Sequence, residues 1–303
     1  VMKLSKIVRK IQNKIRTSNY ISKSKHNVAH HYDLSDKLYE LFLDPDRQYS
    51  CAYFNSPNDT LEQAQINKKE LISKKLLLEE GQSVLDIGCG WGGMASHIYK
   101  KSNANVVGVT LSEEQIAYAK QRKIDEKLDK VEYRLQDYRN VNETYDRIVS
   151  VGMFEHVGTA HYQEFFNKVN DLLNDTGVAL IHTIGRLTEP TNNDPWIEKY
   201  IFPGGYIPAL SETMSRVEKS GLSLTDVQVL RFHYAETLKR WRYNFYDNID
   251  KVKELYDEKF CRMWDFYLSS SQASFEEAGL VVFQLQLSKN KKTVPDSRNY
   301  MLT

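Results

Sequence analysis

The order of local patterns in this 303-residue chain predicts an α/β fold: one mostly parallel, seven-stranded sheet wrapped by helices, with a helical insertion before the last strand. Three observations carry that expectation. Short apolar runs alternate with helical patterns from residue 83 to 184. The first run leads into VLDIGCGWGG, Val84 to Gly93, a glycine-rich turn that opens a helix. A long helical stretch, 235 to 277, then precedes a final alternating run, Val281 to Ser288.

Taken in order, residues 1 to 32 form a basic arm with eight Lys or Arg and no acid, although the whole chain carries only +1. Leu4, Ile7, Val8, Ile11 and Ile15 recur at helical spacing among Lys3, Lys6, Arg9, Lys10 and Lys14. Such a helix can lie in a membrane interface or pack on another domain or on the core, and both readings stay open. A single domain is expected from 33 to 289. Asp33 or Ser35 caps a helix 36 to 43, which Asp44-Pro45-Asp46 ends, and Thr60 with Gln63 makes a capping box for a helix reaching Gly81. Strands follow at 83 to 87, 105 to 110, 131 to 135, 145 to 151 and 177 to 184, with helices at 92 to 101, 112 to 127 and 160 to 174. Residues 185 to 210, with Pro190, Pro195, Pro203, Pro208 and Gly204-Gly205, read as an ordered loop or lid. A helix 211 to 220, a strand 222 to 232, the insertion and the last strand complete the domain. The polar tail, 290 to 303, is expected to be loose.

Cys51, Cys89 and Cys261 form no C-x-x-C pair, and their odd count suits a reducing cytosol. No run approaches a membrane span and no secretory signal is present, so a soluble protein is expected. His26, His30 and His31 offer at most two ligands on one face, so no metal is expected, and no G-x-S-x-G elbow supports a serine hydrolase.

At the turn, Gly88, Gly90 and Gly93 match the G-x-G-x-x-G spacing of dinucleotide sites. That reading wants an acid ending the next strand, yet Asn105 to Thr110 ends in Thr110, and Glu113 and Glu114 lie in the following helix. Asp86-Ile87-Gly88 resembles instead the first motif of S-adenosylmethionine methyltransferases. Ser112 and Gln115 cap the next helix, so Thr110 and Gln115 are the candidates to face a cofactor ribose. Asp137, closing the third strand, is either an adenine partner or a turn acid. Glu155 and His156 follow the fourth strand and Gly152 at the sheet edge where such folds bind ligands; they are candidate base or orienter. His182 points inward, as a core or a catalytic residue. Two aromatic stripes, Leu238, Trp241, Phe245, Ile249 and Tyr256, Phe260, Met263, Tyr267, are either core or the wall of an apolar tunnel.

The segments HHYDLSDKLYELFLDP (30 to 45), QYSCAYF (48 to 54), LDIGCGWGG (85 to 93), VVGVTLSEEQ (106 to 115), DRIVSVGMFEHVG (146 to 158), LIHTIG (180 to 185), WIEKYIFPGGYIP (196 to 208) and YAETL (234 to 238) together resemble the cyclopropane-fatty-acyl-phospholipid synthases and the mycolic acid cyclopropane synthases. The resemblance implies a Rossmann-like class I methyltransferase fold, with a helical lid insertion and an N-terminal helical segment. It implies methylene transfer from S-adenosylmethionine to a cis double bond through a carbocation, with bound bicarbonate as the base. The bicarbonate site would map to Cys51 (main chain), Glu155, His182, Ile184 (main chain) and Tyr234. Cofactor contacts would map to Tyr49, Ser50, Asp86, Gly88, Cys89, Gly90, Trp91, Gly92, Gly93, Thr110, Leu111, Ser112, Gln115, Asp137 and Tyr138. Unsaturated phospholipid acyl chains, a membrane surface contacted peripherally from the cytoplasm and a homodimer are the implied partners; nucleic acid is not. One departure stands out: where many members carry a cysteine, this chain has Ser271. A methyl-branching fatty-acid C-methyltransferase, a small-molecule N-methyltransferase and an idle membrane-binding module are the alternatives.

Overall fold

The computed structural model describes residues 35–302. The basic arm and His26, His30 and His31 lie outside the described residues.

Helix α1 (Asp36–Phe42) begins where Ser35 Oγ accepts from the Lys37 amide at 3.2 Å, and it buries Leu38, Tyr39 and Phe42. Helix α2 (Leu61–Lys75) starts at Thr60, whose hydroxyl accepts from the Gln63 amide. The reciprocal half of the expected box does not form, because the Gln63 side chain donates to Asn67, one turn on. Then come β1 (Ser83–Ile87), α3 (Gly93–Ser102), β2 (Asn105–Thr110), α4 (Glu113–Asp125), β3 (Val131–Leu135), β4 (Tyr145–Val151), α5 (Tyr162–Leu172) and β5 (Leu173–Arg186). Elements α6 (Pro195–Tyr200), α7 (Leu210–Val217), β6 (Ser223–Leu230), α8 (His233–Asp247), α9 (Ile249–Leu255), α10 (Glu258–Glu277), β7 (Leu280–Ser288) and α11 (Asn299–Leu302) complete the described chain.

The seven strands form one sheet in the order β3-β2-β1-β4-β5-β7-β6. Strands β1 to β5 pair in parallel, and β7 runs antiparallel between β5 and β6. The direction of strand order reverses between β1 and β4, which opens a crevice beyond their C-terminal ends. Helices α2, α3 and α4 bury Ile72, Ile98 and Ile116 on one face, while α5 and α7 bury Phe165, Val169 and Val217 on the other. A third cluster joins α1, residues 49–54, Trp91 and the α8–α10 insertion above the crevice. Among the described residues no helix is long and apolar enough to cross a membrane.

Three expectations change. Strand β5 starts at Leu173 rather than 177, and the helix before it ends at Leu172 rather than 174, because Asn174-Asp175-Thr176 stays extended beside an irregularity in the pairing with β4. The 185–210 loop contains α6, since Asp194 accepts from the Trp196 and Ile197 amides and Pro195 takes the first helical position. The tail is not loose. Arg298 Nε donates to Asp226 at 2.7 Å and Gln286 Nε2 donates to the Tyr300 hydroxyl at 3.0 Å. Asp226 also faces the fully buried Lys75 at 3.8 Å, so the tail adds a second cation to a buried pair.

Candidate functional site

The glycine turn sits at the C-terminal end of β1. The Gly88 and Cys89 amides both donate to the Val109 carbonyl, at 2.9 and 3.0 Å, tying the turn to β2. Gly88 has φ +81°, and a Cβ there would lie 2.8 Å from Cβ of Met153. Gly92, at φ 84°, begins α3, and the Tyr133 hydroxyl donates to its carbonyl at 3.0 Å. Only glycine meets both the dihedral and the contact at these two positions.

The turn floors a cavity also lined by Tyr49, Ser50, Asp86, Trp91, Thr110, Leu111, Gln115, Asp137 and Tyr138. Cys89, Gly90 and Gly93 line it as well; Gly92 and Ser112 do not, and act by shaping the helix starts behind it. Ser112 caps α4 through the Gln115 amide, and the Thr110 hydroxyl donates to the Gln115 side chain at 3.1 Å, so Thr110 and Gln115 present one joined polar edge. Asp137 serves as a turn acid here: it binds the Arg139 amide and guanidinium at 2.7 to 2.9 Å while still facing the cavity. Asp86 is different. It is 1% exposed, its Oδ2 has no hydrogen-bond partner, and burial pushes its carboxyl up to about 7. A buried acceptor of that kind suits a cationic ligand group such as a cofactor ammonium.

Lys68, which a sequence reading passes over, sits behind this cavity with no exposed surface. Its Nζ donates to Gln48 Oε1 at 2.6 Å and to Ser50 Oγ at 2.9 Å, and burial lowers its pKa to about 8. It fixes the 48–50 strap that closes the cavity. Lys68→Met keeps the length but removes both bonds, and we expect cofactor affinity to fall about tenfold, with about 1–3 kcal/mol lost in stability. Titration calorimetry with S-adenosylhomocysteine and urea unfolding check this; unchanged affinity would remove Lys68 from the site.

Tyr49, Ser50, Gly152 and His156 line both this cavity and a second of about 1120 Å³ beside it. Cys51, Glu155, His182, Ile184 and Tyr234 all line this second cavity. Glu155, on the 3₁₀ turn Phe154–His156 after β4, accepts from the Ile184 amide through Oε1 at 2.6 Å, and its buried Oε2 has no partner. Burial raises its carboxyl to about 7. His182 on β5 pairs across to β7, where Gln284 Nε2 meets its Nδ1 at 3.2 Å; that assignment leaves the proton on Nε2, which is buried and unpartnered. Burial lowers its pKa well below the usual value, so the ring is neutral. Glu155 and His182 thus line one cavity, with an unpartnered acceptor and an unpartnered donor buried in its wall, a pairing whose chemistry suits a small hydrogen-bonding oxyanion with its own hydroxyl. The Cys51 thiol is not a nucleophile: burial pushes its pKa up, and it donates to the Ala52 carbonyl.

The two aromatic stripes separate. Leu238 contributes to the cavity wall, while Trp241 and Phe245 are fully buried core. Phe260, Met263 and Tyr267 line the cavity, and the Tyr49 and Tyr267 hydroxyls meet at 2.7 Å between the two chambers. Ser271 faces the cavity too. Gln48, Gln136, Met153 and Arg186 also line the chambers, and nothing in their spacing marked them beforehand.

The model of the family "Mycolic acid cyclopropane synthetase" matches residues 20–285. A cyclopropane-fatty-acyl-phospholipid synthase of Escherichia coli is 41% identical over 259 residues, covering 86% of this chain and 66% of its own. A probable fatty acid methyltransferase of Pseudomonas putida is 39% identical over 267 residues, covering 85% of this chain and 68% of its own. This chain therefore spans about two thirds of the length of these two relatives. The structure of mycolic acid cyclopropane synthase CmaA1 complexed with SAH and CTAB superposes with a TM-score of 0.82 at 35% identity, over 87% of this chain and 97% of that one.

Proposed function

Since this chain belongs to the mycolic acid cyclopropane synthetase family of S-adenosylmethionine-dependent methyltransferases, we propose that it builds cyclopropane rings in unsaturated phospholipid acyl chains. One observation carries the reading: a cofactor-type cavity shares Tyr49, Ser50, Gly152 and His156 with an apolar chamber lined by Glu155 and His182, whose buried Oε2 and Nε2 have no partner.

In the first chamber Asp86 would hold the cofactor's ammonium, Thr110 and Gln115 its ribose, and Asp137 with Tyr138 its adenine. S-adenosylmethionine supplies a methyl group activated by a sulfonium leaving group. The second chamber would desolvate the acyl chain, and the ring faces of Tyr234 and Tyr267 would favour positive charge developing at the alkene carbons. Phe275, 4.8 Å from Tyr234 between ring centres, and Trp241, at 5.7 Å, hold the Tyr234 ring in place. Closing the ring requires loss of one proton from the transferred carbon. Glu155, His182, Tyr234 and the Cys51 and Ile184 main chain would hold bicarbonate, which supplies the proton-accepting oxygen when bound. Glu155 Oε2 would accept a hydrogen bond from the bicarbonate hydroxyl and His182 Nε2 would donate one to its oxygen, so neither side chain would touch the acyl chain itself.

Incubating the protein with S-adenosylmethionine and vesicles of monounsaturated phospholipid should yield acyl chains heavier by one methylene, with the rate falling when bicarbonate is stripped from the buffer. Unaltered chains in bicarbonate-containing buffer would overturn the proposal. Association with the membrane surface from the cytoplasm and a homodimer remain parts of the same proposal.

A further inference from the structure

Arg186, the last residue of β5, lines the second chamber and is 8% exposed. Strand alternation puts it on the same face as His182 and Ile184, roughly 13 Å along the strand from His182. Its backbone is fixed, since its amide donates to the Pro208 carbonyl at 3.0 Å. Its Nε donates to the Ile207 carbonyl at 3.2 Å, but its two terminal nitrogens have no partner among the described residues. Glu212 is near enough to favour the charge electrostatically, but no acid forms an ion pair with the guanidinium among the described residues. Glu212 accepts from the Tyr206 hydroxyl and the Ala209 amide, and Asp194 caps α6. A guanidinium stays charged at any working pH, and a largely buried cation with no carboxylate in direct contact is costly. The expense makes sense if a ligand brings the anion.

We propose that Arg186 anchors an anionic end group, phosphate or carboxylate, of the acyl substrate inside the chamber. The inference rests on the acyl-chain reading above and adds to it: with one end held at Arg186 and the base site fixed at Glu155 and His182, the span between them selects which carbons of the chain reach the methyl donor. A planar fork with two free donor nitrogens suits two oxygens of one phosphate or carboxylate.

The test uses three unreactive probes of equal chain length, hexadecyl phosphate, palmitate and hexadecanol, with binding followed by the fluorescence of Trp196 in the chamber wall. The wild-type protein should bind one or both anionic probes about tenfold tighter than hexadecanol. Arg186→Met should abolish that preference with hexadecanol affinity unchanged, which also shows the chamber is intact, and Arg186→Lys should keep part of it. Preference for the phosphate marks a phospholipid head group as the source, and preference for the carboxylate a free fatty acid. Equal affinity for all three probes, or a preference that survives in Arg186→Met, would overturn the assignment. The probes need no turnover. Selective binding alongside unaltered vesicle lipids would therefore sink the proposed reaction and leave Arg186 as an anion anchor.

Discussion

Glu155→Gln is expected to lower turnover by about 10²–10⁴-fold while leaving S-adenosylhomocysteine affinity within about twofold of wild type. The amide keeps an oxygen for the Ile184 amide, so the 3₁₀ turn stays in place, but it presents a donor where Oε2 was the orphaned acceptor. The same substitution changes how stability depends on pH. Glu155 has a folded-state pKa near 7 against an ordinary 4.5, so the folded protein holds that proton more tightly than the unfolded chain. Its contribution is fully present below about pH 4.5 and is lost as pH rises through 7. Glutamine carries no such dependence. In ligand-free protein the variant should therefore gain on wild type by about 3 kcal/mol between pH 4.5 and 7, an order-of-magnitude figure, and stay level above that. Parallel stability curves in urea, or full activity, would contradict the role given to Glu155.

Gly88→Val should abolish measurable cofactor binding. The residue needs φ +81°, which a β-branched side chain avoids, and its Cβ would fall 2.8 Å from Cβ of Met153, an atom fixed to the backbone. Strain of about 3 kcal/mol would either distort the turn or break its bonds to Val109, and that energy alone is about a hundredfold in affinity. Calorimetry with S-adenosylhomocysteine measures it. Retained affinity would mean that the turn is not the cofactor floor.

The sheet could be read from the chain because each signal was local: the alternation of apolar runs, the turn at Gly88 to Gly93, and Gly152 ahead of Glu155. Pairing Glu155 with His182 needed more than that. Glu155 follows β4 on a 3₁₀ turn and His182 lies on β5, and only the parallel register that sets Val151 beside His182 brings them to one chamber. Lys68 hid for a related reason, since lysines in a helix usually mark the solvated face. Its place on the stripe of Ala64 and Ile72, four residues to either side, was the available signal. The aromatic stripes resisted because periodicity reports burial and not what lies opposite: Trp241 meets Phe42, whereas Phe260 and Met263 meet open space. The tail looked polar enough to be loose, but Arg298 and Tyr300 complete a buried cluster around Asp226 and Gln286 that no local pattern announces.

The central claim is that one carbon passes from the cofactor to an alkene and loses a single proton at the Glu155–His182 site. The most direct test supplies S-adenosylmethionine with a fully deuterated methyl group, together with monounsaturated phospholipid vesicles and bicarbonate, and reads the acyl chains by mass spectrometry. The account predicts a ring carbon that keeps two of the three deuterons. Chains that keep all three, as a methylated alkene formed by proton loss from a neighbouring chain carbon would, or unlabelled lipid beside a labelled amine, would contradict it.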